Sequence, residues 1–331
     1  MVKYILVTGG AGYIGSHACK ALRNAGYIPV TYDNLETGWR DAVRFGPFEE
    51  GDLRDRSRLD TVFAKWRPQA IMHFAALSEI GESTRDPGKY WRANILSSLT
   101  LIEAAVAAGC FNIIHSSTCA VYGEQDHGPL REDSPLQPIN AYGASKRAIE
   151  DILKTFARST ALKFVIFRYF NVAGADPAAE IGEFHRPETH LIPLAVETAL
   201  GHRDTLTIFG NDYPTPDGTC IRDYVHVVDV VAAHLLGLEW LDAGNGSEVF
   251  CLGSGRGFSI LELVRETEAI VGGPVPLLIG ARRPGDAARL VSDSTAAEAA
   301  LGWAPRRSTL ERMITDAWRA RSTLKHPADP S

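Results

Sequence analysis

Several things are missing from this 331-residue chain, and each absence removes a class of protein. No stretch holds the roughly 18 consecutive apolar residues that a bilayer-spanning helix requires. Cysteine is sparse: Cys19, Cys110, Cys119, Cys220 and Cys251 stand apart without Cys-x-x-Cys spacing, and an odd count suits reduced thiols better than a disulfide framework. Positive charge is short as well. With 34 Lys and Arg against 40 Asp and Glu the net charge is −6, and no Lys/Arg-rich run breaks the balance, which argues against a nucleic-acid partner. There is no internal repeat and no low-complexity tract. The first residues pass directly into a strand and leave no room for a signal peptide, so the expected location is the cytoplasm, with no membrane partner. What remains, at 45% hydrophobic and 22% charged, is a chain able to bury one large core or two joined ones.

What is present begins at the amino terminus. Lys3 to Thr8 form a short apolar run that breaks into Gly9-Gly10-Ala11-Gly12-Tyr13-Ile14-Gly15, then a helix-like stretch from Ser16 to Ala25 and a stop at Gly26. Strand, glycine turn and helix in that order form a dinucleotide-binding signature. Gly9 and Gly10 allow the tight turn, Gly12 lets the backbone approach a pyrophosphate at the helix N-terminus, and Gly15 lets the helix pack close on the strand. A second strand, 28–32, ends in Asp33, whose carboxylate is placed to accept from an adenosine ribose hydroxyl. An acid there disfavours a 2′-phosphate, so NAD rather than NADP is the expected cofactor; Arg40, in a following loop, carries little weight against that.

Further along, short apolar runs keep alternating with amphipathic ones. Strands near 48–50, 70–74, 112–115 and 164–168 run into Gly51-Asp52-Leu53, Ala75-Ala76-Leu77, Ser116-Ser117-Thr118 and Tyr169-Phe170-Asn171, with helices near 57–66, 90–108 and 142–159 between them. Repeated units of this length predict an α/β fold, a doubly wound parallel-sheet Rossmann domain over 1–172 whose ligands lie beyond the carboxyl ends of the strands. After about Ala173 the chain turns rich in Gly and Pro, at 174–177, 210–218 and 272–276. A smaller mixed α/β lobe over 173–331 is expected there to bind the substrate, with segments around 215–235 returning to the first domain. The tail from His326 to Ser331 is read as frayed.

Tyr142 and Lys146 stand four residues apart, on one face of a helix and about 5–6 Å apart at Cβ. Ionising a tyrosine near pH 7 requires about 3 pKa units, or about 4 kcal/mol. One cation about 6 Å away at an effective dielectric of about 20 supplies roughly 3 kcal/mol, so Lys146 with a second positive charge, such as an oxidised nicotinamide, would make Tyr142 a base. Such a pair alone is more often a solvated helix face.

The surrounding motifs decide. Gly9 to His17, His73-Phe74-Ala75-Ala76-Leu77, Gly81-Glu82-Ser83, Val121-Tyr122-Gly123, Tyr142-x-x-x-Lys146, Arg168-Tyr169-Phe170-Asn171, Ile208 to Pro214, Asp217-Gly218-Thr219, Arg222 to His226 and Arg282 to Asp286 together resemble the extended short-chain dehydrogenase/reductases. Within them the set is similar to the UDP-glucose 4-epimerase family, over about residues 3 to 320.

The resemblance implies that Tyr142 removes the proton of a sugar 4′-hydroxyl while NAD takes the C4′ hydride, that the 4-keto sugar turns over, and that the hydride returns to its other face. It gives Lys146 the nicotinamide ribose and the lowering of the Tyr142 pKa, and Thr118 a hydrogen bond at O4′; the alternative for Thr118 is a cap after a strand. Implied cofactor contacts are Gly9, Gly12, Tyr13, Ile14, Asp33, Asn34, Asp52, Leu53, Phe74, Ala75, Ala76, Asn94, Lys146 and Tyr169, with Asp52 addressing the adenine amino group. Ser78 and Glu36-Thr37-Gly38 depart from relatives beside that cofactor.

Implied contacts to a UDP-sugar, besides Thr118 and Tyr142, are Phe170, Asn171, His190, Leu191, Thr207, Phe209, Arg222, Arg283 and Leu290. Arginine suits a diphosphate through its planar fork. Leu290 falls at a gatekeeping position and predicts weak or no turnover of an N-acetylated sugar. No metal is expected, since Glu183, His185, Glu188 and His190 match no zinc signature. A 4,6-dehydratase is disfavoured because Cys119 and Ala120, beside Thr118, cannot supply its acid pair, and a decarboxylating synthase on similar grounds. A 4-epimerase of another UDP-sugar stays open, as does a non-catalytic NAD(H) sensor. Family members are commonly homodimers through helices equivalent to 90–108 and 142–159; Leu96, Leu99, Leu101, Ile102, Ala105 and Val106 permit that seam or are core.

Overall fold

The computed structural model describes residues 3–125, 128–283 and 287–324. Among these, the chain divides into two compact units. The first is drawn from Met1–Tyr122, Pro135–Arg168 and Val231–Phe250, the second from Gly123–Ser134, Tyr169–Val230 and Cys251–Ser331.

The first unit is built on a seven-stranded sheet. Its strands are β1 (Tyr4–Thr8), β2 (Ile28–Asp33), β3 (Phe48–Glu50), β4 (Ala70–His73), β5 (Asn112–Thr118), β6 (Lys163–Tyr169) and the strand Glu248–Leu252. From one edge they run β3, β2, β1, β4, β5, β6 and Glu248–Leu252, with β1 parallel to both β2 and β4. The order reverses at β1, and this is the doubly wound arrangement the alternating pattern predicts.

Strand residues alternate between faces, so both faces must be covered. From β6, Phe164 and Ile166 enter a core with Leu59 and Phe63 of helix Arg56–Trp66, Leu101 and Ile102 of helix Ser97–Ala107, and Ile149 and Leu153 of helix Ala141–Ser159. Phe167, the residue after Ile166, packs instead on Phe250 and on His234 of helix Val227–Asp242. Side-chain caps start two of these helices: Asp55 accepts from Arg58 N and Asn140 from Gly143 N.

The helix expected over 90–108 is interrupted, since Trp91–Leu96 winds as a π-helical turn between Pro87–Tyr90 and Ser97–Ala107. Such turns re-aim side chains, and this one carries the buried Asn94. Leu101, Ile102 and Ala105 are core, while Leu96 is 48% exposed.

The second unit centres on strand Ile221–His226, buried along its whole length. It runs parallel to Asn171–Ala173 and Arg289–Leu290 and antiparallel to Gly257–Ser259. A separate parallel pair joins Leu206–Phe209 to Leu277–Gly280. Helices Leu191–Ala199, Ile260–Val271 and Leu310–Thr323 pack a second apolar core around Ile192, Val196, Leu263 and Met313. Asp223, fully buried, accepts from Ser254 N and Oγ, Gly255 N, and Ser292 N and Oγ, and so ties these loops to the central strand.

Two expectations about the division need correcting. The segment that returns to the first unit is 231–250, not 215–235, because residues 221–226 spend their backbone bonds on second-unit strands while 248–250 extend the first sheet. Residues 123–134 also leave the first unit: Leu130 N donates to Val291 O and Leu130 O accepts from Asp293 N.

Candidate active site

In the first unit the glycine turn closes on the end of β4. Gly9 has φ +73, and a Cβ there would lie 2.6 Å from Ala75 N; a Cβ on Gly15 would lie 2.1 Å from the Gly9 carbonyl oxygen. Helix and turn therefore pack backbone to backbone. Helix Tyr13–Asn24 starts at Gly12 with no side-chain cap and no acid in its first turn, a terminus left electropositive and suited to a pyrophosphate.

Asp33 ends β2, and its oxygens accept from Ala11 N at 3.0 Å and Leu35 N at 2.9 Å, so it braces the glycine turn. Burial raises its pKa. Asn34 accepts from Glu36 N beside it, Leu53 is buried, and Arg40 lies over the Phe48 ring, away from any cofactor role.

Asp52 is more committed than expected. Arg54 forks onto its carboxylate from Nε and Nη2 and lowers its pKa, and its carbonyl accepts from Tyr32 Oη.

Phe74, Ala75 and Ala76 follow β4, with Phe74 N and Ala75 N both donating to Thr8 O. Asn94 holds the next residue: its Oδ1 accepts from Leu77 N, and its Nδ2 donates to Leu77 O and Ser145 Oγ. Both amide hydrogens are thus spent inside the unit, where Asn94 ties the loop at Leu77 to Ser145.

A chain of hydrogen bonds that the sequence did not announce links these parts. Ser98 Oγ donates to Asn94 O at 2.6 Å, so His73 Nε2 donates to Ser98, and His73 Nδ1 accepts from Thr8 Oγ1 at 2.7 Å. Burial holds His73 neutral, down to about 3, as that pattern requires. The line continues through Asn94 and Ser145 to the Tyr142 carbonyl, which accepts from Ser145 Oγ.

Tyr142 lies in the first turn of helix Ala141–Ser159. A Cβ on Gly143 would lie 2.4 Å from Ala120 O, so glycine lets this helix approach the turn after Thr118. Thr118 takes the cap role weighed for it and makes a second bond besides. Its Oγ1 accepts from Ala120 N as a cap, and it hydrogen-bonds the Tyr142 side chain.

The poised phenolate is not what the protein alone provides. Burial pushes the Tyr142 phenol up to about 12, and the bond to Thr118, not Lys146, opposes the rise. Burial also pulls the Lys146 ammonium down to about 7, with Glu150 acting the other way, and Lys146 Nζ donates to Ser116 O at 2.7 Å. Desolvation is the largest cause for both groups.

Glu150 belongs to none of the motifs named above. It lies one turn beyond Lys146, fully buried, and accepts from Ser117 Oγ at 2.6 Å and from Arg168 Nε and Nη2 at 3.0 and 2.6 Å. The helical spacing 142, 146, 150 is the one sign of it in the sequence. Arg168, at the end of β6, also donates to Tyr122 Oη. Tyr169 closes the strand and is buried.

In the second unit, the expected nucleotide-sugar residues lie on its two sheets and adjoining loops. Arg222, 8% exposed, is the register neighbour of Leu290, and Asn171 opens the strand beside Tyr224. Arg283 stacks its guanidinium 3.8 Å from the centre of the Phe209 ring, leaving the planar fork open to an anion. Thr207 and Phe209 are the exposed alternate residues of strand Leu206–Phe209. Phe170 is buried, its N donating to Leu252 O.

Leu191 begins helix Leu191–Ala199, with His190 as its N-cap. His190 Nδ1 is bound to Glu183 Oε1, so only Nε2 is left to meet a ligand. Residues 284–286 of the Arg282 motif, and the tail from 325, lie outside the described residues.

The parallel sheet, glycine turn, acid after β2 and Tyr-x-x-x-Lys helix define a dinucleotide-binding enzyme of the short-chain dehydrogenase/reductase type. The chain matches the NAD dependent epimerase/dehydratase family over residues 5–253 and belongs to it. It is 48% identical to the UDP-glucose 4-epimerase of Rhizobium leguminosarum bv. trifolii over 95% of this chain and 96% of that one. A crystal structure of UDP-glucose 4-epimerase from Brucella ovis in complex with NAD superposes with TM-score 0.94 at 45% identity, covering 96% of this chain and 98% of that chain. A third, UDP-glucose 4-epimerase from Stenotrophomonas maltophila with bound NAD and formylated UDP-arabinopyranose, gives 0.93 at 38% identity over 97% and 98%.

Proposed function

We propose that this enzyme interconverts UDP-glucose and UDP-galactose. The observation that carries the reading is the Thr118–Tyr142–Lys146 cluster on a complete NAD-binding unit, in a chain whose relatives of 41–48% identity are UDP-glucose 4-epimerases. Bound NAD accepts the C4′ hydride, returns it to the other face of the 4-keto sugar, and in its oxidised form adds the positive charge that Lys146 alone does not supply. Tyr142 takes the 4′-hydroxyl proton and later gives it back. Thr118 holds the O4′ side of that exchange, and Lys146, anchored on Ser116 O, orients a ribose. Arg222 and Arg283 hold the diphosphate, with Phe209 beneath the base, and Leu191 and His190 follow the uridine.

Cys119 and Ala120 form the turn after Thr118 and offer no acid for a dehydration. A pentose reading has one specific support, the UDP-arabinopyranose derivative in the Stenotrophomonas neighbour. Leu290 should keep turnover of UDP-N-acetylglucosamine below that of UDP-galactose; comparable rates in a coupled assay would refute that role. The enzyme should purify with NAD bound and act in the cytoplasm as a homodimer, for which exposed Trp91 and Leu96 offer apolar surface. Among the described residues no helix is long and apolar enough to cross a membrane. The deciding test is conversion of UDP-galactose to UDP-glucose by purified protein, which Tyr142→Phe should abolish.

A further inference from the structure

We propose that Glu183, His185, Glu188 and His190 bind one divalent transition-metal ion, Zn²⁺ fitting best, which fixes the loop leading into helix Leu191–Ala199. One donor atom from each of the four lies within 4.8 Å of the others. The His185 and His190 rings meet edge to face, with centroids 4.9 Å apart. Two ligands each about 2.1 Å from a tetrahedral zinc stand about 3.4 Å apart. His185 Nδ1 already lies 3.4 Å from Glu183 Oε1 and 3.7 Å from Glu188 Oε1. His190 Nδ1 reaches the same Glu183 oxygen, and an ion between them would open that pair to ligand spacing. Two imidazoles with two carboxylates are a borderline donor set that suits zinc better than magnesium or calcium.

Charge points the same way. The Glu183 and Glu188 side chains are 4% and 5% exposed, a depth at which carboxylates demand compensation. Arg321, itself buried, donates to Glu188 Oε2 at 2.5 Å and to Glu197 Oε1 at 2.9 Å, while Glu188 Oε1, which accepts from Thr189 N and His190 N, stands 3.7 Å from His185 Nδ1. Glu183, Glu188 and Glu197 face the guanidiniums of Arg321 and, 3.9 Å from Glu197, of Arg203, so one negative charge remains for a cation to meet. This reading shares His190 with the proposed uridine contacts but does not depend on the epimerase assignment, because the test below reads metal binding and uses neither NAD nor a sugar.

The test is zinc titration of the purified full-length protein after chelator treatment, followed by calorimetry and metal analysis. One equivalent per chain and a melting temperature raised by zinc are expected. His185→Gln with His190→Gln should weaken binding more than about a hundredfold, since even outer-shell partners are worth 10–100-fold. If the double variant does not fold, His190→Gln alone, on the more exposed ligand, carries the test with at least about a tenfold loss. No zinc bound in excess metal, or affinity unchanged in these variants, overturns the proposal.

Discussion

In the first unit Tyr142, Lys146 and Glu150 occupy successive turns of one helix, and the glycine turn and Asp33 fall within 25 residues of each other. In the second, Arg222, Phe209, Arg283 and Leu290 come from strands and loops spread over 82 residues, with Asn171 further away still, and only strand register and stacking bring them into order. Local helix geometry can place reacting groups to a few tenths of an ångström because every intervening bond is intrahelical. Long-range pairing places recognition groups more loosely and more adaptably. Chemistry and recognition should therefore separate under mutation.

The largest expected break is at the base. Tyr142→Phe should lower kcat by about 10³-fold with the unfolding midpoint unchanged, because it deletes a proton-transfer group without leaving a buried charge. Kinetics together with urea unfolding measure both; a midpoint that falls as activity does would make Tyr142 structural.

Glu150→Gln should act on the fold instead. It leaves Arg168 buried without its carboxylate, and such one-sided breaks cost about 3–5 kcal/mol. Equilibrium unfolding reads this directly, and a loss below about 1 kcal/mol would show that Tyr122 and water suffice for Arg168.

In the second unit, Arg283→Ala should raise the KM for UDP-galactose about tenfold with kcat within a few-fold, because it removes one charge-assisted hydrogen-bonding group that serves ground and transition states alike. A fall in kcat without change in KM would contradict the separation.

The smallest effect concerns pH. Burial works against the Glu49 carboxylate, but Lys65, Trp66 and Arg58 outweigh it and hold it down to about 2. A depressed carboxyl contributes stability above its unfolded value, lost as pH falls from about 4.5 toward 2. Glu49→Gln should therefore be less stable than the parent at pH 6, with the difference closing toward pH 2; a constant difference would mean packing alone is lost.

Much of the first unit was legible because its signals are short-range. A glycine turn between an apolar run and a helix, and a Tyr and a Lys at helical spacing, constrain the backbone within a few residues. The Thr8–His73–Ser98–Asn94 line was not legible, because its members become neighbours only when β1 and β4 pair and a π turn rotates Asn94 inward. The return of 231–250 was hidden for a like reason: helix Val227–Asp242 follows strand Ile221–His226 without a break, and nothing local says where the chain crosses.

Residue order along the chain is enough to set the parallel α/β arrangement, the preference for NAD through Asp33, and the identity of the residues that can exchange a proton. Their protonation state is a matter of the folded molecule. Whether Tyr142 is a base or a phenol near 12, and whether Lys146 is firmly charged or near 7, depends on how much water and how many dipoles surround them. Those quantities belong to burial, which no spacing of residues along the chain encodes.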